Sequence, residues 1–452
     1  MRARIADVPL LVVGALLLST AADILPNDTI VGVGEVQLNL ARILLVVALA
    51  AFVVGEGVRL DHWRTGLALP LALLLGVALY ASHKYGTYPR FRFLVEGVAV
   101  FYLTFAVLRA RGDARDGLAF LGIVALSIAA LTAVAQVAQD VQTGFYRDGC
   151  TPVTLDPGVT PPPGSIPRAT GTFSNPNVLG GYLLLLLPVG LTASAYVARV
   201  RGLWALVAIG GGLGFLSIVF TFSRAAVLMS LVAAGLGVLV SDVRYRRWLI
   251  LVVVLLAVAI AALAGSCGSE STASYGRTEE WKQTFEVIRD EPLWGVGLGR
   301  LGFVLHERDP VSTARHAHNL WLTWWAEAGT GAFLAWAWLC LALLWRSLRG
   351  ALRGSANART GLVALVGFFG FSMLDHPANT DRVALAFWIV AGFAAASGEP
   401  PRGLWRRLRR SREPDAPVAP SDVEHQPSLA ERTRTGNVRP LPPHPTGAEP
   451  PP

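Results

Sequence analysis

The 452-residue sequence predicts an all-α polytopic membrane protein with about twelve transmembrane helices. Three observations lead there. Hydrophobic residues make up 53% of the chain and charged residues only 15%, where soluble proteins carry about 25% charged residues. Apolar runs near the length that crosses a bilayer recur almost from end to end. Between them lie short loops whose arginines are distributed unevenly, which orients the spans.

In chain order the spans are expected at about 8–25, 38–55, 66–82, 92–109, 117–138, 176–198, 202–221, 224–241, 248–265, 318–345, 360–374 and 383–398. The first, "VPLLVVGALLLSTAADIL", is not followed by a cleavage pattern and soluble sequence, so it reads as a retained span rather than a removed signal peptide. With the N-terminus inside, the inner loops collect Arg59 and Arg64, then Arg109, Arg111 and Arg115, then Arg199 and Arg201, then Arg244, Arg246 and Arg247, then Arg346, Arg349, Arg353 and Arg359. The short outer loops hold only Lys84, Arg90, Arg92, Arg224 and Arg382. That bias puts both termini in the cytoplasm. The formal charge of +8 therefore belongs to loops and a tail beside a membrane, not to a nucleic-acid surface.

Two outer loops, 139–175 and 266–317, are too long to be plain connectors and are where a site is expected. Within the second, "RTEEWKQTFEVIRDEP" reads as a short amphipathic helix. Trp281, Phe285 and Ile288 form its apolar stripe, Arg277 lies one turn earlier on it, and Pro292 ends it. Residues 1–398 are thus read as the membrane domain. The remainder, 399–452, is a basic segment, "PRGLWRRLRRSR", suited to an anionic inner leaflet, followed by a Pro-rich disordered tail. Of three cysteines, Cys340 falls in a span. Cys150 and Cys267 fall in the two long outer loops and either pair or remain separate thiols.

Four segments with chemical potential gather on the outer side. "RATGTFSNPNVLGGYLLLLLP" enters the sixth span. "TFSRAAVL" sets Arg224 between two apolar segments, an expensive place for a charge. Arg277 heads the loop helix. "STARHAHNLWLTWWAEAG" carries Arg315, His316 and His318. A guanidinium is suited to holding phosphate in a bidentate grip, and a histidine to moving or orienting a hydroxyl proton. The histidine pair has no accompanying Cys or carboxylate cluster at metal-ligand spacing, so no metal is expected. Glu327 lies on the opposite face of its helix from His318 and is expected to pair with another helix or fix packing. Lys84, Arg90 and Arg92 either extend a phosphate site or meet lipid headgroups, and Arg42 is read the same way. In "DHPANTD", Asp375 and His376 are expected to be structural. Cations, aromatics and a loop roof at one membrane face favour an anionic, lipid-linked substrate with a diphosphate leaving group.

"GTFSNPNVLGGYLLLLLP", "TFSRAAVL", "RTEEWKQTFEVIRDEPLWGVGLGR" and "HNLWLTWWAEAGTG", in that order, resemble the motif set of the O-antigen ligase/polymerase superfamily, the bacterial membrane glycan ligases. Gly329 fits the family pattern after "HN", whereas Ala332 stands where the ligases usually have Gly, Thr or Tyr. The resemblance implies a metal-independent, cofactor-free, inverting glycosyltransferase. Its donor would be a polyprenyl-diphosphate-linked glycan, and its acceptor a glycan, lipid or protein on the extracytoplasmic face. It implies catalytic roles for Arg224 and Arg277 on the diphosphate and for His318 on the acceptor. The substrate-binding set expected around them is Arg315, His316, Arg92, Asn175, Asn177 and Asn319. The alternative is a transporter or flippase of lipid-linked oligosaccharide, in which polar groups more often line broken helices at mid-membrane. A peptidoglycan-type polymerase or a non-enzymatic assembly scaffold are the further readings.

Overall fold

The computed structural model describes residues 7–21, 31–33, 36–38, 40–56, 64–112, 114–149, 151–156, 159–192, 204–240, 250–251, 254, 258, 273–309 and 316–398. The expected ninth span therefore lies mostly outside the described residues, as do Arg315, Cys150, Cys267 and the tail.

The protein is mostly helical. Eleven of the predicted spans coincide with helices: α1 (Val8–Ala21), α2 (Leu40–Glu56), α3 (Ala68–Tyr85), α4 (Tyr88–Ala110), α5 (Ala114–Ala138), α6 (Pro176–Leu191), α7 (Trp204–Phe220), α8 (Arg224–Val240), α11 (Leu320–Leu352), α12 (Ala356–Phe371) and α13 (Asp381–Ser397). The loop before α11 adds α9 (Ala273–Asp290) and α10 (Leu301–Arg308). Four helices, α3, α4, α5 and α11, are long and apolar enough to cross a membrane, and α1, α2, α6, α7, α8 and α12 are shorter apolar helices. Large apolar side chains such as Leu11, Leu69, Ile209, Leu239, Leu334 and Leu341 remain exposed around the bundle. Water would penalise so extensive an apolar surface, whereas lipid does not.

The all-α expectation needs one correction. The loop 139–175 folds a small antiparallel sheet, β3 (Phe145–Asp148) flanked by β4 (Thr151–Thr154) and β5 (Ile166–Pro167), and a hairpin of β1 (Val31–Val33) and β2 (Val36–Leu38) precedes α2. These loops are rich in Thr, Val, Pro and Gly, which favour extended pairing and turns over helix.

The core is built by close helix crossings at small residues. Gly392 of α13 lies against the Phe101 carbonyl and Thr104 of α4, and Gly180 of α6 against Ala226 of α8. Helix α6 is buried almost throughout, and its Tyr182 hydroxyl shares a hydrogen bond of 3.0 Å with Thr20 of α1. Beneath the large loop, Val287, Ile288, Val296, Leu301, Leu305, Leu322 and Ala326 form a second, smaller core.

Helix α11 is broken at Gly329, whose φ of 77° and ψ of 175° are not helical. The break releases carbonyls from the helical ladder, and the glycine-punctuated loop "PLWGVGLGR" uses them. Val296 N–H donates to Ala326 O (2.9 Å) and Gly297 N–H to Glu327 O (2.8 Å), while Thr330 N–H donates back to Pro292 O (2.9 Å). The Glu327 carboxylate accepts from Leu301 N–H at the head of α10 (3.3 Å). As its position on the helix implied, Glu327 fixes packing rather than meeting His318.

Candidate active site

The histidine motif is held from three sides. Asn319 is the N-cap of α11: its side-chain oxygen accepts from Trp321 N–H (2.9 Å) and Leu322 N–H (3.1 Å), and its amide donates to Met373 O (2.9 Å). Leu320 N–H donates to Ser372 O (2.8 Å). On the loop side, the Trp281 indole N–H donates to Ala317 O (2.8 Å). Between these anchors His318 takes a left-handed backbone, φ 46°, rare for a non-glycine residue and costly unless its surroundings enforce it.

That backbone sets the imidazole beside Asp375. His318 Nδ1 lies 3.2 Å from Asp375 Oδ1. A carboxylate can only accept, so Nδ1 carries a proton, and in the neutral ring Nε2 presents its lone pair. Asp375 Oδ1 also accepts from His376 N–H (2.7 Å), and Oδ2 lies 3.9 Å from Arg277 Nη2. On the far side of the ring, Glu280 Oε2 is 4.0 Å from Nε2. Burial disfavours the charged form of His318, but the hydrogen bond and charge of Asp375, with Glu280, outweigh it and raise its pKa above the ordinary 6.5. Asp375 is held below the carboxylate range: burial would raise it, and the His318 hydrogen bond and the charges of His318 and Arg277 overcome that. Burial pushes Glu280 upward, against the pull of His318 and Arg277. Asp375, expected to be structural, is thus the centre of the cluster.

Helix α9 brings Arg277 there. Thr284, Val287 and Ile288 are buried and Trp281 is half-buried, so the inward face runs Arg277, Trp281, Thr284, Ile288. Phe285, expected on that stripe, is about half exposed and meets Trp325 edge-on at 6.4 Å.

Arg168 is a cation the sequence reading passed over, although it opens the quoted segment "RATGTFSNPN". Its setting is rigid. Its own N–H donates to Phe145 O and Ala169 N–H to Phe220 O, both at 2.9 Å, while Gln136 clamps Thr170 and Gly171. Its Nε donates to Thr221 O (2.9 Å) and an Nη to Asn177 Oδ1 (3.4 Å). Burial, then the charge of Arg277, lower its pKa to about 10, with Asp375 opposing. It stays cationic at neutral pH. Arg168 therefore links the start of α6, the turn before α8 and the Asp375–Arg277 group. The signal available in sequence was a lone arginine directly before a small-residue loop on the predicted outer side.

Arg224 is the first residue of α8 and is exposed, with no ion pair or hydrogen bond among the described residues. Its turn contains a second strained residue, Phe222 at φ 48°, and is held to the site through the bond from Arg168 to Thr221. Asn175 caps α6 by accepting from Asn177 N–H (2.8 Å), so Asn175 and Asn319 position chain segments, and Asn177 orients Arg168. His316 stacks near His318 (ring centroids 4.5 Å) and His376 (5.5 Å). Arg92 is not brought to this cluster by any described contact. It lies 3.6 Å from Glu96, which also holds Arg42 at 2.6 Å. Lys84 pairs with Glu291 at 3.2 Å. Of the early outer cations it is Arg90 that lines a cavity beside His316 and His376.

His316, His318 and Asp375 offer ligand atoms all within 4.8 Å of one another and are the residues that could hold a metal ion among those described. The carboxylate missing from the linear motif is thus supplied by a distant loop. It is shared with Arg277, a competing partner.

Residues 191–337 match the family model described as O-antigen ligase. No curated protein matches the chain. The matched third of the chain holds Arg224, Arg277, His316, His318 and the break at Gly329, whereas Arg168 and Asp375 join the site from outside it. Three of the four motif segments fall in order inside that match and "GTFSNPNVLGGYLLLLLP" directly precedes it, so over this third of its length the chain is similar to the O-antigen ligase family.

Proposed function

We propose that this membrane protein is a metal-independent, inverting glycan ligase or polymerase that takes a glycan from a polyprenyl diphosphate and joins it to an acceptor hydroxyl on the extracytoplasmic face. The observation that carries the reading is the His318–Asp375–Arg277 cluster (3.2 and 3.9 Å), with Arg168 electrostatically coupled to it.

The acceptor hydroxyl approaches His318 Nε2, which takes its proton as the oxygen attacks the anomeric carbon. Asp375 fixes the tautomer and stabilises the imidazolium that forms. The bond from the anomeric carbon to the diphosphate oxygen breaks on the opposite side, which inverts the centre. Negative charge grows on that leaving oxygen, where fixed guanidiniums lower the barrier most. Arg277 and Arg168 supply that charge, and Arg224, exposed at the head of α8, is free to grip a phosphate that arrives with its lipid. Three arginines can do the work a divalent ion does elsewhere. Both termini lie in the cytoplasm in this reading, and residues 1–398 form one membrane domain.

The test is transfer from a polyprenyl-diphosphate glycan by purified protein in detergent with EDTA, against lipid, glycan and peptide acceptors. The parent should form product that His318→Ala and Arg224→Ala do not. Variants with full activity would remove the assigned site. Product abolished by EDTA and restored by a divalent ion would instead assign His316, His318 and Asp375 to a metal. Absence of product with any acceptor, together with flipping of labelled lipid-linked oligosaccharide in vesicles, would favour the transporter.

A further inference from the structure

A cavity of about 540 Å³ opens beside His316, between α4, α11, α13 and the loop before α10. It lies within the volume range of small-molecule sites. Its walls combine two chemistries. Trp324 and Trp336 stack at 5.3 Å with an angle of 17°, and Phe387 and Trp388 pack against Trp336. Among them stand Glu327, Asp381, Arg90 and Asn379. Two further groups are buried without a hydrogen-bond partner among the described residues: the Trp336 indole N–H, on a side chain only 3% exposed, and His376 Nδ1. Unsatisfied buried polar atoms cost free energy unless a ligand or water meets them.

This lining discriminates between occupants. An apolar polyprenyl chain would leave the orphaned Trp336 N–H and His376 Nδ1 unmet and set hydrocarbon against Arg90 and Asp381. A diphosphate would find a single guanidinium, Arg90, whose charge already faces Glu327 and Asp381. A neutral saccharide satisfies both parts: its hydroxyls donate to carboxylates and accept from Arg90, Asn379 and the indole, while its C–H faces cover the aromatic rings. The placement is equally specific. Arg277 and Arg168 lie on the Asp375 side of His318, whereas His316 connects the imidazole to the cavity. Inversion requires acceptor and leaving group on opposite sides of the anomeric carbon.

We propose that this aromatic cavity is the acceptor subsite and takes a neutral saccharide unit, which narrows the acceptor to a glycan or a glycosylated lipid. The assignment to the acceptor rests on the transferase reading, while saccharide binding does not. The test is saturation-transfer NMR on the full-length protein in detergent, with a panel of neutral hexoses, deoxyhexoses, N-acetylhexosamines and their disaccharides, and glycerol as polyol control. At least one sugar should receive saturation. Its binding should weaken about tenfold in Glu327→Gln, the loss expected for one hydrogen bond to a charged group, and about fivefold in the exposed-site variant Asn379→Ala, the loss for a neutral one, and persist in Arg277→Ala. No sugar signal above glycerol, or a signal equal in parent and cavity variants, would overturn the subsite. Cavity variants that weaken binding of polyprenyl phosphate and leave sugars unaffected would assign the cavity to the donor's chain. Saccharide binding without transfer from any donor would sink the transferase reading and leave the subsite standing.

Discussion

Asp375→Asn isolates the charge that the structure sets against the histidine while keeping the side chain's volume. In the parent, His318 must be neutral at Nε2 to accept a proton. Its pKa is raised by Asp375, so the acid limb of the pH–rate profile should lie above the ordinary 6.5. Removing the carboxylate leaves burial and Arg277, which favour the neutral ring, opposed only by the more distant Glu280, so the limb must move to lower pH. A hydrogen bond to a charged group contributes about 1.5–3 kcal/mol, or about one to two pH units at 1.36 kcal/mol per unit. His318 is 31% exposed and Asp375 only 7%, and solvent on the histidine side favours the lower end, about one unit. The plateau rate should also fall, on the order of 10²-fold, because Asn no longer selects the tautomer or stabilises the imidazolium. Initial rates of glycan transfer across the pH range, for parent and variant, measure both numbers. A lowered plateau with an unmoved acid limb would refute the reasoning and reduce Asp375 to a scaffold residue.

Other perturbations reach the same site from different directions. Arg168→Lys keeps the charge but cannot reproduce the bonds from Nε to Thr221 and Nη to Asn177. We expect KM for the lipid-linked donor to rise about tenfold, and an unchanged donor KM would remove Arg168 from the diphosphate site. Trp281→Phe deletes one hydrogen bond to Ala317, worth about 1 kcal/mol, and should lower kcat with donor KM held. Gly329→Ala forces a left-handed, extended backbone on a residue whose Cβ would meet the Leu293 carbonyl. Its cost of about 1–3 kcal/mol should appear as a lower melting temperature in detergent and as early protease cleavage near residue 293. His316→Ala should keep EDTA-resistant turnover, and a new requirement for a divalent ion in parent enzyme would contradict the arginine mechanism.

Much of this arrangement could be read from sequence because membrane helices declare themselves by composition. Predicted boundaries such as 224–241 and 176–198 meet helices starting at Arg224 and Pro176, since Ser223 and the Asn175–Pro176 pair punctuate the chain locally. What stayed hidden depends on long-range closure. Asp375 follows a predicted span and resembles any turn residue, and only the fold sets it against a histidine 57 positions earlier. Arg168 sits in a Pro-rich loop whose path is fixed by Gln136 and the ends of α6 and α7. Arg92 and Arg90 are two apart on one helix, and their facing decides that one pairs with Glu96 while the other lines the cavity. The Phe285 stripe failed for a related reason: period alone admits two overlapping faces, and docking on the loop core selected the one with Thr284 and Ile288.

The interruption at Gly329 also bears on when the site is assembled during synthesis of the chain. The carbonyls that hold the loop before α10 belong to a helix translated after that loop, and the carboxylate beside His318 is translated later still. A ribosome that has finished α9 has delivered an arginine with nothing to act beside it. Only after α11 has been inserted, and the turn beyond α12 has come back against it, do base, carboxylate and cation occupy one place. Chain order thus acts as a timer, keeping the cluster unassembled in partly inserted protein.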